Sequence, residues 1–212
     1  MSPRTMERLT VEGPAGAIEV VRNVPGPAPR GIALVCHPHP LQGGTLDNKV
    51  VQTLAKTFFA LGYVAVRFNF RGVGGSGGAF DEGIGETEDA LAVLGDTRRT
   101  LGESLPLALA GFSFGAFVQT RVASRVQAEG LVLVAPGVKR FPLLNVAAET
   151  IVIHGEEDDV VPLADVFAWA RPQRLPIVVF PGCGHFFHER LPQLAHVVTT
   201  MWPSRTGEEP TR

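Results

Sequence analysis

The chain has 212 residues, 45% of them hydrophobic, and a formal net charge of −2. This length suffices for one well-buried core, and the charge gives no reason to expect nucleic acid or an anionic membrane as a partner. Two cysteines are too few for a disulfide framework, and neither a signal-peptide pattern nor an apolar run of about 20 residues is visible. We therefore expect one cytoplasmic domain over residues 1–212, without a membrane span and with a polar tail over 203–212. The oligomeric state has no signal in the sequence.

The first predicted elements are two strands at residues 8–13 and 17–23, joined by a Gly-Pro-Ala-Gly turn as an antiparallel hairpin. Apolar runs of strand length follow at 32–36, 63–70, 107–111, 131–136, 150–155 and 176–182. Stretches with helical spacing lie at 48–62, 86–101, 114–126, 163–172 and 189–202. Strands that are apolar on both faces need helices on both sides, so the alternation predicts an α/β fold with a mainly parallel central sheet.

Reactive side chains follow several of these strands directly. In a parallel sheet the working site lies at the carboxyl ends of the strands. A serine, a carboxylate and a histidine occur there in that chain order. The residues at these strand ends are His37, His39, Asn69, Arg71, Ser113, the acidic run 156–159 and His185.

The pattern G-x-S-x-G occurs twice, around Ser76 and around Ser113. Ser113 directly follows an apolar strand and directly precedes a helical stretch. Such an abrupt change strains the backbone, lifts the hydroxyl above the sheet and places it at the start of a helix, where N–H groups are free. Ser76 lies in a glycine-rich loop that no strand enters, which predicts a turn. Ser113 is therefore the candidate nucleophile.

Five blocks between residues 36 and 187 carry a family resemblance: CHPHPLQGGTLDNKVV, VRFNFRGVGGSGG, GFSFGA, HGEEDDVVP and GCGHFF. Together they resemble the α/β-hydrolase superfamily, and more narrowly a group of small bacterial serine hydrolases without a lid. The resemblance implies an α/β-hydrolase fold with helices on both faces of the sheet and no cap domain. It also implies the chain order nucleophile, acid, histidine.

The resemblance assigns the two partners of Ser113. The family's acid motif falls on residues 154–162 and makes Asp158, rather than Asp159, the acid. Its G-x-G-H block falls on 182–185 and makes His185, rather than His188, the base. In this scheme His185 activates Ser113 for acyl-enzyme formation, and Asp158 orients His185.

An oxyanion hole needs two backbone donors, and the first is expected to be the N–H of Phe114, the residue after the nucleophile. The second should come from the loop HPHPLQGGT. Pro38 and Pro40 have no N–H, so only His39 or Leu41 can donate from the first part of the loop. The register of the strand favours His39, and the more open position favours Leu41.

The predicted site is open, because only residues 137–149 separate two consecutive strands where a cap would otherwise be inserted. An open apolar site suits a small-molecule acyl substrate or an acyl group that projects from a larger molecule. The sequence thus predicts a carboxylesterase- or thioesterase-like serine hydrolase without a cofactor, and it does not distinguish these substrates from amides. The expected apolar lining is Phe112, Phe114, Phe141, Leu143 and Leu144.

Other interpretations of these motifs are weaker. The acidic run 156–159 lacks the spacing of a known metal-binding loop, and His37, His39, Cys183 and His185 lack a zinc-ligand spacing, so we expect no metal. The loop GVGGSGG lacks the Lys-Ser/Thr of a phosphate-binding loop. A Cys183–His185 nucleophile pair is a minor alternative. The remaining alternatives are a non-catalytic binding protein with this fold and a subunit that packs against a partner; a missing second oxyanion donor would favour them.

Overall fold

A computed structural model describes residues 5–203, so most of the predicted polar tail lies outside the described residues. The chain opens with the expected antiparallel hairpin, β1 (Thr5–Gly13) and β2 (Gly16–Val24). Gly16 has φ +116°, a conformation that glycine tolerates and other residues rarely adopt, and it closes the turn opposite Gly13.

Six further strands complete one sheet, and β2 pairs antiparallel with β4, while all pairs from β4 through β8 are parallel. The order across the sheet is β1-β2-β4-β3-β5-β6-β7-β8. The central strands β3, β4 and β5 are buried throughout, which explains why their sequences are apolar on both faces. The strands are β3 (Gly31–Cys36), β4 (Tyr63–Phe68), β5 (Leu107–Phe112), β6 (Gly130–Val134), β7 (Ile151–Gly155) and β8 (Ile177–Phe180).

Helices cover both faces of the sheet, as the sequence predicts. On one face, α1 and α5 bury Leu54 and Leu194; on the other, α2 and α3 bury Val93 and Val118. No helix within residues 5–203 is long and apolar enough to cross a membrane. The helices are α1 (Lys49–Ala60), α2 (Ile84–Leu101), α3 (Phe114–Ala123), α4 (Leu163–Ala170) and α5 (Leu191–Met201).

The connection between β6 and β7, residues 135–150, contains neither helix nor strand. It begins beside Ser113, where the Gly137 N–H donates to the Ser113 carbonyl oxygen at 3.4 Å. It then runs along α3, where the Leu144 N–H donates to Thr120 Oγ1 at 3.3 Å. The connection therefore lies flat on the protein and forms no cap.

Candidate active site

The turn between β5 and α3 holds Ser113 in a strained conformation, with φ +56° and ψ −114°. A Cβ atom on Gly111 would lie 2.3 Å from the Gly115 carbonyl oxygen, and one on Gly115 would lie 2.3 Å from the Cys36 carbonyl oxygen. Both contacts are far below van der Waals distance. The two glycines of G-x-S-x-G are therefore required because the backbones of β5, α3 and β3 approach so closely.

The second G-x-S-x-G pattern has a different environment. The Ser76 hydroxyl accepts from the Glu19 N–H at 3.0 Å and donates to the Asn69 carbonyl oxygen at 2.7 Å. Ser76 is buried in the loop after β4, and its hydroxyl is hydrogen-bonded both as a donor and as an acceptor. Ser76 thus stabilises a turn, as its glycine-rich surroundings predict.

The structure brings Ser113, His185 and Asp158 together. His185 Nε2 lies 3.1 Å from Ser113 Oγ, and His185 Nδ1 lies 2.7 Å from Asp158 Oδ2. An ionised carboxylate only accepts hydrogen bonds, so Nδ1 carries the ring proton and Nε2 is the acceptor that faces the serine hydroxyl. The neighbours Asp159 and His188 are exposed and take no part in this chain of contacts.

The Asp158 carboxylate is held by its own loop. Its Oδ1 accepts from the Val160 N–H at 2.9 Å and from the Val161 N–H at 2.7 Å. Burial raises the pKa of Asp158, but the hydrogen bonds from His185 and Val161 outweigh that effect, and the pKa lies below its ordinary value. Asp158 is therefore a carboxylate at neutral pH.

The acid loop and the histidine loop are bound to each other. The Glu157 N–H donates to the Cys183 carbonyl oxygen at 2.9 Å, and Glu156 accepts from the Gly182 N–H at 2.9 Å. A Cβ atom on Gly155 would lie 2.2 Å from the same Cys183 oxygen, so β7 must end in glycine for the loops to meet. Glu156 and Asp158 face different partners and do not converge on one point.

Sequence reasoning missed His154, which is fully buried beside the acid. Its Nε2 donates to the Val161 carbonyl oxygen at 2.8 Å and lies 3.4 Å from Asp158 Oδ2. Burial lowers the pKa of His154, so the ring is neutral at neutral pH. The available signal was its position four residues before Asp158, at the start of the same motif.

Of the three candidate oxyanion donors, the N–H groups of Phe114 and His39 have no acceptor among residues 5–203. The third candidate, the Leu41 N–H, donates to His39 Nδ1 at 3.2 Å. The His39 ring lies 5.2 Å from the Phe114 ring, and Gly115 packs against the Cys36 and His37 carbonyls, so the two loops are adjacent.

Aromatic rings flank this pair of donors. Phe141 packs edge-on against Phe114 at 5.0 Å between ring centroids and stacks on Phe117 at the same distance. Phe80, which the sequence analysis did not single out, stacks on His39 at 4.9 Å. Phe80, Phe141 and His39 are all partly exposed, so they form an aromatic strip beside Ser113.

A model of the family described as serine aminopeptidase, S33, matches residues 27–148, more than half of the chain. The chain belongs to the α/β-hydrolase superfamily. A protein of Rickettsia prowazekii is 36% identical over 208 residues, which cover 91% of this chain and 87% of the Rickettsia protein.

Two solved structures of α/β serine hydrolases are similar to this α/β-hydrolase over nearly its whole length. One, from Xanthomonas campestris, is described as lacking a lid; it is 37% identical with a TM-score of 0.87, and 95% of each chain is covered. The other, a homologue from Coxiella burnetii, is 40% identical with a TM-score of 0.84, covering 96% of this chain and 100% of its own. The expected lidless serine hydrolase of this superfamily is confirmed.

Three of the predicted lining residues of this α/β-hydrolase lie elsewhere than expected. Phe112 is fully buried, with its ring 5.0 Å from that of His185, so it packs against the histidine instead of facing an open site. The Phe114 ring is also fully buried, so this residue offers the site its backbone N–H and not an apolar surface. The Leu144 N–H is bonded to Thr120, which lies seven residues and therefore about 10 Å along α3 from Ser113. The cause for Leu144 is the path of the β6–β7 connection, which reaches Thr120 three residues after Phe141.

Proposed function

We propose that this α/β-hydrolase cleaves carboxylic esters or thioesters through an acyl-enzyme on Ser113, with His185 as general base and Asp158 as the orienting acid. The observation that carries the proposal is the unbroken chain of contacts from Asp158 through His185 to Ser113, at 2.7 Å and 3.1 Å. A serine hydroxyl becomes a useful nucleophile when a positioned base takes its proton, and this geometry supplies that base.

In the acylation step, Ser113 Oγ attacks the substrate carbonyl carbon while its proton passes to His185 Nε2. The carbonyl oxygen becomes an oxyanion, and the imidazolium is stabilised by Asp158. Collapse of the tetrahedral intermediate breaks the bond to the leaving alcohol or thiol, which takes the proton from Nε2. Water, activated by the same nitrogen, then attacks the acyl-enzyme, releases the carboxylic acid and restores Ser113.

The oxyanion would be bound by the N–H groups of Phe114 and His39. Both lack an acceptor among the described residues and lie on adjacent loops, whereas the Leu41 N–H is already bonded to His39 Nδ1. The loss of one such donor typically costs about 10²–10³ in rate. A second donor thus supports an enzyme over a binding protein that keeps the fold without activity.

The expected substrates carry a small or flat acyl group. The flat β6–β7 connection leaves Ser113 open to solvent, and the aromatic strip of Phe80, Phe141 and His39 offers apolar contact on one side. Such a site accepts short acyl esters, or an acyl group that projects from a larger molecule. The matched family model is described as a serine aminopeptidase, so an amide belongs in the test panel.

The proposal is tested by the intact mass after treatment with a fluorophosphonate. The wild type should gain one adduct, Ser113→Ala should gain none, and Ser76→Ala, which alters the other G-x-S-x-G serine, should still gain one. Hydrolysis of p-nitrophenyl acetate, a thioester of acetic acid and an acyl p-nitroanilide then ranks the three substrate classes. Faster turnover of the ester or thioester is expected. A wild type without an adduct would favour a non-catalytic protein, and an adduct on Ser113→Ala would place the nucleophile elsewhere.

A further inference from the structure

His37 is fully buried at the end of β3 and takes no part in the proposed proton transfers. Its Nε2 lies 3.0 Å from the Phe70 backbone nitrogen, and its Nδ1 lies 2.7 Å from the Pro38 carbonyl oxygen. Because the Phe70 N–H can only donate, Nε2 must be the acceptor and the ring proton must sit on Nδ1. The His37 Nδ1–H therefore donates to the Pro38 carbonyl. Burial lowers the pKa of His37 to about 4, so the ring is neutral at neutral pH.

The Pro38 carbonyl and the His39 N–H belong to the same peptide group. None of the described peptide bonds is cis, and in a trans peptide the C=O and N–H bonds point in opposite directions. A hydrogen bond that holds the Pro38 oxygen toward His37 consequently directs the His39 N–H away from His37. That N–H has no acceptor among residues 5–203.

Gly44 encloses the Pro38 carbonyl from another side. A Cβ atom on Gly44 would lie 2.1 Å from the Pro38 oxygen, and the Gly44 N–H donates to the His39 carbonyl oxygen at 3.0 Å. Rotation of the Pro38–His39 peptide would require this backbone to move. Pro40 further restricts the backbone of His39, because the residue before a proline has fewer allowed conformations.

We propose that His37 is a positioning residue for the oxyanion hole, which holds the Pro38–His39 peptide so that the His39 N–H stays directed at the developing oxyanion. The Phe70 N–H in turn holds the imidazole, so the loop after β4 fixes the orientation of the loop after β3. This inference rests on the proposed function. It assigns a role to a histidine that never touches the substrate.

The test compares His37→Gln with His37→Asn, using p-nitrophenyl acetate as substrate and phenylboronic acid as a tetrahedral transition-state mimic. The amide of His37→Asn would lie near the position of Nδ1 and could still donate to the Pro38 carbonyl oxygen. The amide of His37→Gln would lie near the position of Nε2, where it could accept from the Phe70 N–H but could not reach Pro38. The Gln variant should lose about 10²-fold in kcat, as for one missing oxyanion donor, with a KM within about threefold of wild type. The Asn variant should stay within about tenfold.

The affinity for phenylboronic acid separates positioning from damage to the fold. Its boron–oxygen group occupies the oxyanion hole, so its Ki should rise in parallel with the loss in kcat. A partly unfolded preparation would lose kcat while its folded molecules kept the wild-type Ki. The pH profile of kcat/KM should keep its acid limb, because the Asp158–His185 pair is untouched.

Gly44→Ala provides a second route to the same result, because its methyl group would displace the Pro38 carbonyl while His37 stays in place. It should also lower kcat and weaken phenylboronic acid binding, and it decides the matter if His37→Gln does not fold. His196→Gln, an exposed histidine on α5, is the matched control and should behave as wild type.

Equal losses in the Gln and Asn variants, wild-type kinetics in both, or a lower kcat with an unchanged Ki would overturn the role of His37. In those cases the wild type still reacts with the fluorophosphonate, so the proposed function stands. A wild type that gains no adduct would overturn both.

Discussion

The Asp158 carboxylate accepts hydrogen bonds from His185 and from two backbone N–H groups of its own loop. Each of these bonds stabilises the ionised form, and together they outweigh the cost of its burial. His154 stabilises the same loop, because its Nε2–H donates to the Val161 carbonyl oxygen while the Val161 N–H donates to Asp158. The orientation of His185 thus depends on a network that the serine never contacts.

Asp158→Asn should reduce kcat for p-nitrophenyl acetate by about 10³–10⁴-fold at neutral pH. The asparagine amide can donate to His185 Nδ1, which would place the ring proton on Nε2 and leave no base facing Ser113. Asp159→Asn is the matched control, since that side chain is exposed and one residue away. A large loss in the Asp159 variant with none in the Asp158 variant would reverse the assignment of the acid.

At the scale of elements, the tight turn between β5 and α3 can form because backbone atoms, and no side chains, occupy the space next to its two glycines. Gly111 lies against Gly115, and Gly115 lies against the end of β3. The same close approach that strains Ser113 also brings the start of α3 next to the loop of His39. The positions of the nucleophile and of the proposed oxyanion donors therefore depend on the same packing of backbone segments.

Gly115→Ala should lower the free energy of unfolding by about 1–3 kcal/mol, because a methyl group 2.3 Å from the Cys36 carbonyl oxygen forces α3 away from β3. Urea unfolding measures the change, and kcat should fall with it. Gly95→Ala is the comparison, since that position in α2 has nothing within 4 Å and alanine favours a helix by up to about 1 kcal/mol. A stable, fully active Gly115→Ala would contradict the close approach.

The bounds of the elements could be predicted well because burial and periodicity agree along the chain. The helix begins at Phe114 as its apolar pattern predicts, and the strand predicted over 107–111 ends one residue later, at Phe112. The path of the β6–β7 connection could not be predicted, because its direction depends on a hydrogen bond to Thr120 that no periodicity indicates. The position of Leu144 was predicted wrongly for that reason.

The candidate site could be predicted in its residues but not in all its contacts. Ser113, Asp158 and His185 follow from motif register, and the structure brings them together. The choice between His39 and Leu41 depends on which N–H is already bonded, and the hydrogen bond from the Leu41 N–H to His39 Nδ1 is a contact that no sequence pattern indicates. Tautomers and peptide orientations have no sequence signature.

For the whole molecule, the histidines whose pKa is lowered in the folded state make stability depend on pH. The pKa of His37 is lowered from 6.5 to about 4, and burial also lowers the pKa of His39 and His154. The unfolded chain binds a proton at each of these sites near pH 6.5, whereas the folded chain does not until the pH is lower. The stabilisation is thus complete above about pH 6.5 and declines as the pH falls toward 4. Asp158, whose pKa is depressed, adds a further loss below its ordinary value of 3.8.

The free energy of unfolding should therefore fall between pH 6.5 and about 4, with His37 alone contributing on the order of 3 kcal/mol. Urea titrations at several pH values across this range measure the slope. His37→Asn cannot bind the proton in either state, so its slope should be shallower than that of the wild type. An equal slope in both proteins would mean that His37 titrates normally in the folded state.

The flat β6–β7 connection also has a consequence for the timing of turnover. No cap lies over Ser113 within residues 5–203, so entry of the ester and departure of its products need no rearrangement of this part of the chain, and bond making and breaking should set the rate. Added sucrose, which slows diffusion and large-scale motion, should leave kcat for p-nitrophenyl acetate unchanged, and a proportional decrease would point to a gating movement instead.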